Sequence, residues 1–102
     1  MSKRSKDSLW LNDQDNVVVA LRNLTNGEVI EAADASITVN ENIRTGHKIA
    51  IKPIPKYGMV IKYGEEIGEA SADINVGDHV HVHNVRDITL EVFRKRKKEL
   101  GL

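Results

Sequence analysis

An all-β domain of short strands, followed by a C-terminal helix, is the fold class this 102-residue sequence predicts. Three observations lead there. Val and Ile together number 21 against 7 Leu, and β-branched side chains, stiff at χ1, suit a pleated sheet better than a helix. Apolar segments of four to seven residues alternate with turn residues at short intervals, the spacing of a compact sandwich or barrel. Only after Asn84 does the periodicity change towards that of a helix.

Ser8-Leu9-Trp10-Leu11 is a short first strand, and Asn12 to Asn16 a polar turn. Val17 to Leu21 is an unbroken apolar run, as in a central strand. Asn26-Gly27 is the strongest short hairpin signal, because both positions tolerate φ > 0. Val29 to Ala33 reads as a strand or a helical turn, and Ile37, Val39 and Ile43 alternate with polar residues. Lys48 to Lys52 is the next strand, stopped by Pro53 and Pro55, which cannot donate to a ladder. Tyr57-Gly58 turns the chain into a strand over Met59 to Tyr63, and Gly64 and Gly68 bracket Glu65-Glu66-Ile67. Asn75 to Asp78 is a turn before His79-Val80-His81-Val82-His83, which alternates without a break. Ile88, Glu91, Val92 and Lys95 lie near helical spacing, and Gly101 sits where a C-cap glycine would. A helix is therefore expected over 87–100, its late cations suiting the macrodipole and the like-charge run Arg94 to Lys98 opposing it. No internal repeat or low-complexity linker is evident.

The formal net charge is zero, from 15 Lys plus Arg and 15 Asp plus Glu, which excludes a uniformly basic nucleic-acid binder. The zero conceals a segregation. Residues 7–90 carry 7 cations and 13 anions, whereas 1–6 hold Lys3, Arg4 and Lys6, and 91–102 hold five cations and two anions. No apolar run reaches the roughly 18 residues of a membrane span, and no apolar stretch follows the basic start as it would in a signal peptide. The chain has no Cys, so disulfides, thiolate metal sites and a Cys nucleophile are excluded. That composition fits the cytoplasm.

His79, His81 and His83 fall at alternate positions, so on a strand they share one face, with Val80 and Val82 opposite. Neighbours on that face stand roughly 6.5–7 Å apart, close enough for two imidazoles to converge on one ion. Imidazole suits Zn, Fe, Cu and Ni, and Asp78 or Asp87 could complete a site. Three histidines on one strand cannot easily share one ion, which favours His81 with one neighbour. A solvated histidine face on an edge strand explains the same pattern, and both readings stand here. His47, Lys62 and Tyr63 form a second polar set: Lys62 could meet a carboxylate as a point charge and Tyr63 could donate a phenolic hydrogen bond, or either could be a plain exposed residue. The glycines lack phosphate-loop spacing, no Ser lies in a Gly-flanked elbow, and Asp13 to Asn16 lacks the Gly and Glu of a calcium loop.

Four motifs then become specific together. Asp15-Asn16-Val17-Val18-Val19-Ala20-Leu21, Gly46-His47-Lys48-Ile49-Ala50, Val60-Ile61-Lys62-Tyr63-Gly64 with Ile67-Gly68, and Gly77-Asp78-His79-Val80-His81-Val82-His83-Asn84 follow in this order. They resemble the N-terminal domain of the altronate and galactarate dehydratase family, over roughly residues 9–85. The resemblance implies a single SAF-type β-clip domain and cytoplasmic lyase chemistry, the removal of water from a sugar diacid or aldonic acid. It implies a divalent metal, iron, in the assembled enzyme, with His81 and His83 as its ligands. His47, Lys62 and Tyr63 would be catalytic, with Lys62 or His47 near the substrate carboxylate, and Lys48, Gly64 and Asn84 would bind substrate.

Fused members of that family continue into a much larger catalytic domain, whereas this sequence stops soon after the module. The expectation is a small subunit, or stand-alone module, that completes a site carried mainly by a large dehydratase-like subunit and is inactive alone. The chain then divides into a flexible basic N-terminus (1–7), the SAF-type domain (8–86) and a basic C-terminal helix or tail (87–102) that docks on the large subunit. The alternatives are the small subunit of a sulfolactate sulfo-lyase-like enzyme and a non-enzymatic module that binds a small acid or a protein. Neither a membrane nor a nucleic acid is an expected partner. Exposed strand edges leave a homo-oligomer open.

Overall fold

The computed structural model describes residues 3–86. The helix expected over 87–100 lies outside the described residues, among which every regular element is a strand. These are β1 (Lys3–Arg4), β2 (Ser8–Trp10), β3 (Val17–Ala20), β4 (Val29–Ala32), β5 (Ala35–Thr38), β6 (Lys48–Ala50), β7 (Met59–Lys62), β8 (Glu65–Ala70), β9 (His79–Val80) and β10 (Val85–Arg86). They form an antiparallel five-stranded sheet in the order β1-β2-β3-β6-β9, a three-stranded sheet β10-β8-β7 and the hairpin β4-β5. The mainly β class is as predicted. Lys3 and Arg4 pair with Trp10 and Leu9.

The central strand β3 has buried residues on both of its faces, and the period-2 rule says why Val17 to Ala20 is apolar throughout. Val18, Ala20 and Ile49 face a core that includes Leu24, Ile30, Ile37, Val39 and Ile43 beneath β4-β5. Val17, Ala50 and Val80 face the opposite core, with Ile54, Val60, Ala70 and Ile74 beneath β7-β8. Two buried carboxylates tie loops to this frame. Asp15 accepts from the Tyr63 N–H (3.0 Å) and the Gly64 N–H (2.8 Å), so the polar turn before β3 holds the tip of the β7-β8 hairpin. Asp7 accepts from Arg22 Nε (3.0 Å) and the Glu31 N–H (3.1 Å). Burial works to raise the Asp7 pKa, but those hydrogen bonds and the nearby cations outweigh it and hold the group below its ordinary value.

One turn recurs four times. In Thr25–Glu28, Arg44–His47, Pro55–Gly58 and Asn75–Asp78 the first carbonyl accepts from the fourth N–H at 2.8–3.0 Å. The third residue has positive φ: Gly27 +91°, Gly46 +85°, Tyr57 +73° and Gly77 +90°. This is type II geometry, which explains the glycines. The residues just before, Leu24 with Ile43 and Ile54 with Ile74, pair as bridges. Asn26-Gly27 therefore does not close a two-residue hairpin as predicted; it feeds β4. The two-residue hairpins are Ala33-Asp34 (φ +48° and +68°) and Tyr63-Gly64 (+60° and +70°), each with the paired positive φ of a type I′ turn. Gly68 does not bracket a loop but lies inside β8. A Cβ there would stand 2.3 Å from Val85 Cγ1, so its missing side chain lets β10 close on β8.

Tyr57 occupies the position that glycine takes in the other three turns, and its ring is 67% exposed. An L-residue in that region costs about 1–2 kcal/mol, and glycine gives back part of the gain through greater unfolded-state freedom. Tyr57→Gly is expected to raise stability by about 0.5–1 kcal/mol, read as a higher urea midpoint at unchanged slope. A lower midpoint would mean that the ring's contact with Lys56, 5.2 Å from nitrogen to centroid, outweighs the backbone strain.

Candidate metal centre

The register of β6 on β9 builds the site. Lys48 pairs with Val80 and Ile49 with His79, so extending the ladder by one residue sets His47 opposite His81. By alternation His47, His79 and His81 lie on the face of Val18 and Ile49. The three half-buried imidazoles gather at the sheet edge, each offering a nitrogen within 4.8 Å of the others. Their rings stack, with centroids 5.0 Å apart for His47–His79, 4.2 Å for His47–His81 and 5.3 Å for His79–His81. His47 Nδ1 is 2.8 Å from His79 Nε2, a hydrogen bond in which one ring nitrogen donates to the other.

The uninterrupted five-residue strand expected over 79–83 is not formed. β9 ends at Val80, and the reason is Asn84: its Oδ1 accepts from the His81 N–H (2.9 Å) and its Nδ2 donates to the His79 carbonyl (2.8 Å). That side chain takes the backbone groups a longer ladder would need. The Asn84 N–H donates to the His81 carbonyl, closing a turn that leaves Val82 81% exposed rather than beside Val80. His83 nonetheless returns to the cluster, its ring 5.1 Å from that of His79. It groups with His79 and Glu41, not with the inner three. Of the two predicted ligands, His81 joins the inner trio and His83 this outer one.

Electrostatics favours the neutral forms of His79 and His81. Burial lowers the His79 pKa, Glu41 works against that, and His83, His47 and His81 lower it further. Burial also lowers His81, assisted by His47, Lys48 and His83. Both rings are therefore neutral at pH 7, and the proton shared in the His47–His79 hydrogen bond is the one an ion would displace. The same shifts set a pH dependence. The unfolded chain takes up these protons first, so the stability contributed by the neutral rings is full above pH 6.5 and is lost as pH falls through the lowered folded values. Urea midpoints are expected to fall between pH 7 and pH 5, and a His79→Gln, His81→Gln chain should flatten that slope. An equally steep slope in this variant would place the dependence elsewhere.

The other predicted site residues are scattered. Lys48 lies between His47 and Ile49 but projects from the opposite face, that of Val80. Its pKa is pushed down by burial and by the positive charge of Lys62. Tyr63 sits at the tip of the β7-β8 hairpin with its ring 66% exposed and its N–H bound to Asp15. Gly64 and Asn84 do structural work: the Gly64 N–H is held by Asp15, and both polar atoms of the Asn84 amide are used in its turn. Sequence reasoning missed His47 as a partner of His79, and Glu41 altogether. No sequence signal marks Glu41, whose carboxylate is brought in by its contact with the His79 N–H at 3.3 Å.

The donor set fits a divalent metal. Tetrahedral binding at 2.0–2.1 Å needs nitrogens roughly 3.3 Å apart, so the His47–His79 contact would open by about 0.5 Å and the His81 nitrogen, within 4.8 Å of both, would complete the set. Three imidazoles would leave a tetrahedral ion one open coordination position.

Comparison with known proteins adds an independent finding. The family model for the altronate/galactarate dehydratase SAF domain matches residues 6–88. Altronate dehydratase of Bacillus subtilis (strain 168) is 42% identical over 98 residues, which is 92% of this chain and 20% of that protein. Altronate dehydratase of Escherichia coli (strain K12) is 46% identical over 72 residues, 71% of this chain and 14% of that protein. The (2R)-sulfolactate sulfo-lyase subunit alpha of Paracoccus pantotrophus is 43% identical over 54 residues, 53% of this chain and 81% of the subunit. The chain thus spans a fifth or less of the dehydratases it matches.

Proposed function

The chain belongs to the altronate/galactarate dehydratase SAF-domain family, and on that premise we propose that it is the small, metal-holding module of a sugar-acid dehydratase. The bulk of the catalytic site would be supplied by a larger dehydratase-like partner, in the cytoplasm. The three sheets would be the β-clip of that family. The observation that carries the reading is the convergence of His47, His79 and His81. A divalent ion held there, iron in this proposal, would polarise hydroxyl and carboxylate oxygens of a substrate as a Lewis acid.

What the chain's own residues contribute follows from their chemistry. The imidazoles would hold the ion's position, and before it binds the hydrogen bond between His47 and His79 limits their rotamers. Lys48, on the opposite face of the sheet, feels the positive charge of Lys62 on β7, and no carboxylate is paired to either among the described residues. Such cations attract a substrate carboxylate as point charges. Tyr63, on a hairpin tip, presents its phenol outward and could reach a hydroxyl only of a partner-bound substrate. His47 moves from the carboxylate-binding role expected of it to the metal.

The test is reconstitution with the large chain. Wild type is expected to carry about one metal ion per small chain, and His47→Ala with His81→Ala to remove it and lower turnover by at least about 100-fold. Unchanged metal content and turnover in a folded variant would sink the proposal. A second reading has its own support. The chain covers 81% of the sulfo-lyase alpha subunit, itself a separate small polypeptide. Assay of the reconstituted pair with a sugar acid and with sulfolactate separates the two.

A further inference from the structure

We propose that Glu41, His79 and His83 form a second divalent-cation site, outside the inner trio and sharing only His79 with it. The inference extends the metal reading of His47, His79 and His81 but fails or stands separately from it.

The geometry rests on the two faces of one ring edge. His79 turns Nε2 to His47 at 2.8 Å and Nδ1 to Glu41 Oε1 at 3.8 Å. One imidazole therefore offers one nitrogen to each cluster. The ligand atoms of Glu41, His79 and His83 lie within 4.8 Å of one another, as those of the inner trio do. Glu41 is not a wandering surface carboxylate, since its Oε2 accepts from the His79 N–H at 3.3 Å. His83 is brought back by the Asn84 turn, its ring tilted 37° to that of His79. Two imidazoles and a carboxylate suit iron(II) and zinc, and leave positions for water or a ligand oxygen.

Exposure distinguishes the two sites. The inner rings are half-buried, whereas the Glu41 side chain is 44% exposed and His83 is exposed. The outer site also carries the only carboxylate of the five residues, so an ion arriving from solvent meets it first. Two dications on opposite nitrogens of one imidazole would repel strongly at that range. The sites are accordingly alternatives, one ion at a time, with the outer one the weaker.

Titration of the full chain with Co²⁺, followed by its visible absorption and by calorimetry, tests this. Wild type is expected to bind one equivalent. The chain with His47→Ala and His81→Ala should still bind one equivalent, about 10–100-fold more weakly. The chain with Glu41→Gln and His83→Asn should keep the inner site within about threefold of wild-type affinity. Combining all four substitutions should leave no binding. If the inner-site variant binds nothing while wild type binds one ion, the outer site is overturned and the inner reading survives. If the Glu41→Gln, His83→Asn chain loses its ion, a single site spans all five residues and the proposal is again overturned. A wild-type chain that binds no Co²⁺ overturns both. Far-UV circular dichroism confirms each fold, and His47→Gln with His81→Gln replaces the alanine pair if that pair does not fold.

Discussion

His79→Ala is expected to abolish divalent-metal uptake, lowering affinity by at least about 100-fold, with little loss of fold. His79 is common to both groups of ligand atoms, so its removal leaves His47 with His81, or Glu41 with His83. Neither pair retains the three protein ligands of an open catalytic site. The structural loss should be small, because β9 holds its place through backbone pairing with β6 and through Val80, which is fully buried while His79 lies at the sheet edge. Ring stacking of this kind is worth about 0.5–1.5 kcal/mol. Calorimetric metal titration and thermal melts of the same samples check both halves. A melting temperature that collapses together with metal binding would make His79 a core residue rather than a ligand. Undiminished metal content would remove the imidazole cluster from the function altogether.

Gly77→Ala is expected to be the most damaging single methyl addition, costing about 3–5 kcal/mol. Two effects combine. Gly77 has φ +90°, and a Cβ built on it would stand 2.1 Å from the Thr38 carbonyl oxygen, a backbone atom that cannot step aside. Its N–H also donates to the Ala50 carbonyl, so a shift would disturb the strand carrying Lys48 and Ile49. Gly27 and Gly46 supply the control. Both have nearly the same φ, and a Cβ at either meets nothing within 4 Å. Gly27→Ala and Gly46→Ala should therefore show the backbone cost alone, about 1–2 kcal/mol. Urea unfolding of the three variants separates strain from collision. Equal losses at all three positions would mean that the turn at Gly77 relaxes and the close approach to Thr38 carries no energy.

Local signals identified the elements they control. Runs such as Val17-Val18-Val19-Ala20 and Met59-Val60-Ile61-Lys62 are strands where β-branched character said they would be. Turn positions were marked by Gly27, Gly46 and Gly77 because no other residue adopts their φ cheaply. Turn type was less legible. Ala33-Asp34 closes a type I′ hairpin without either glycine or asparagine, while Asn26-Gly27, the stronger signal, does not close one. Tertiary pairing outweighed the local preference at both places. The fourfold recurrence of one turn was hidden because Tyr57 stands where its counterparts are glycine.

Sequence alone determined the β class, the short strands, the histidine-rich segment as the place to look and, through four ordered motifs, the family. These are properties of residues close together in the chain, where side-chain period and backbone preference act. Tertiary structure decided which histidines meet. His47 reaches His79 and His81 only because β6 pairs with β9 in one register, and a slip of one residue would send it to the other face. It also decided that Lys48, adjacent to His47 in sequence, looks away from the imidazoles, and that Asn84 ends the strand and returns His83 to Glu41. Register and long-range hydrogen bonding are collective properties of the packed sheet, and no stretch of sequence carries them by itself.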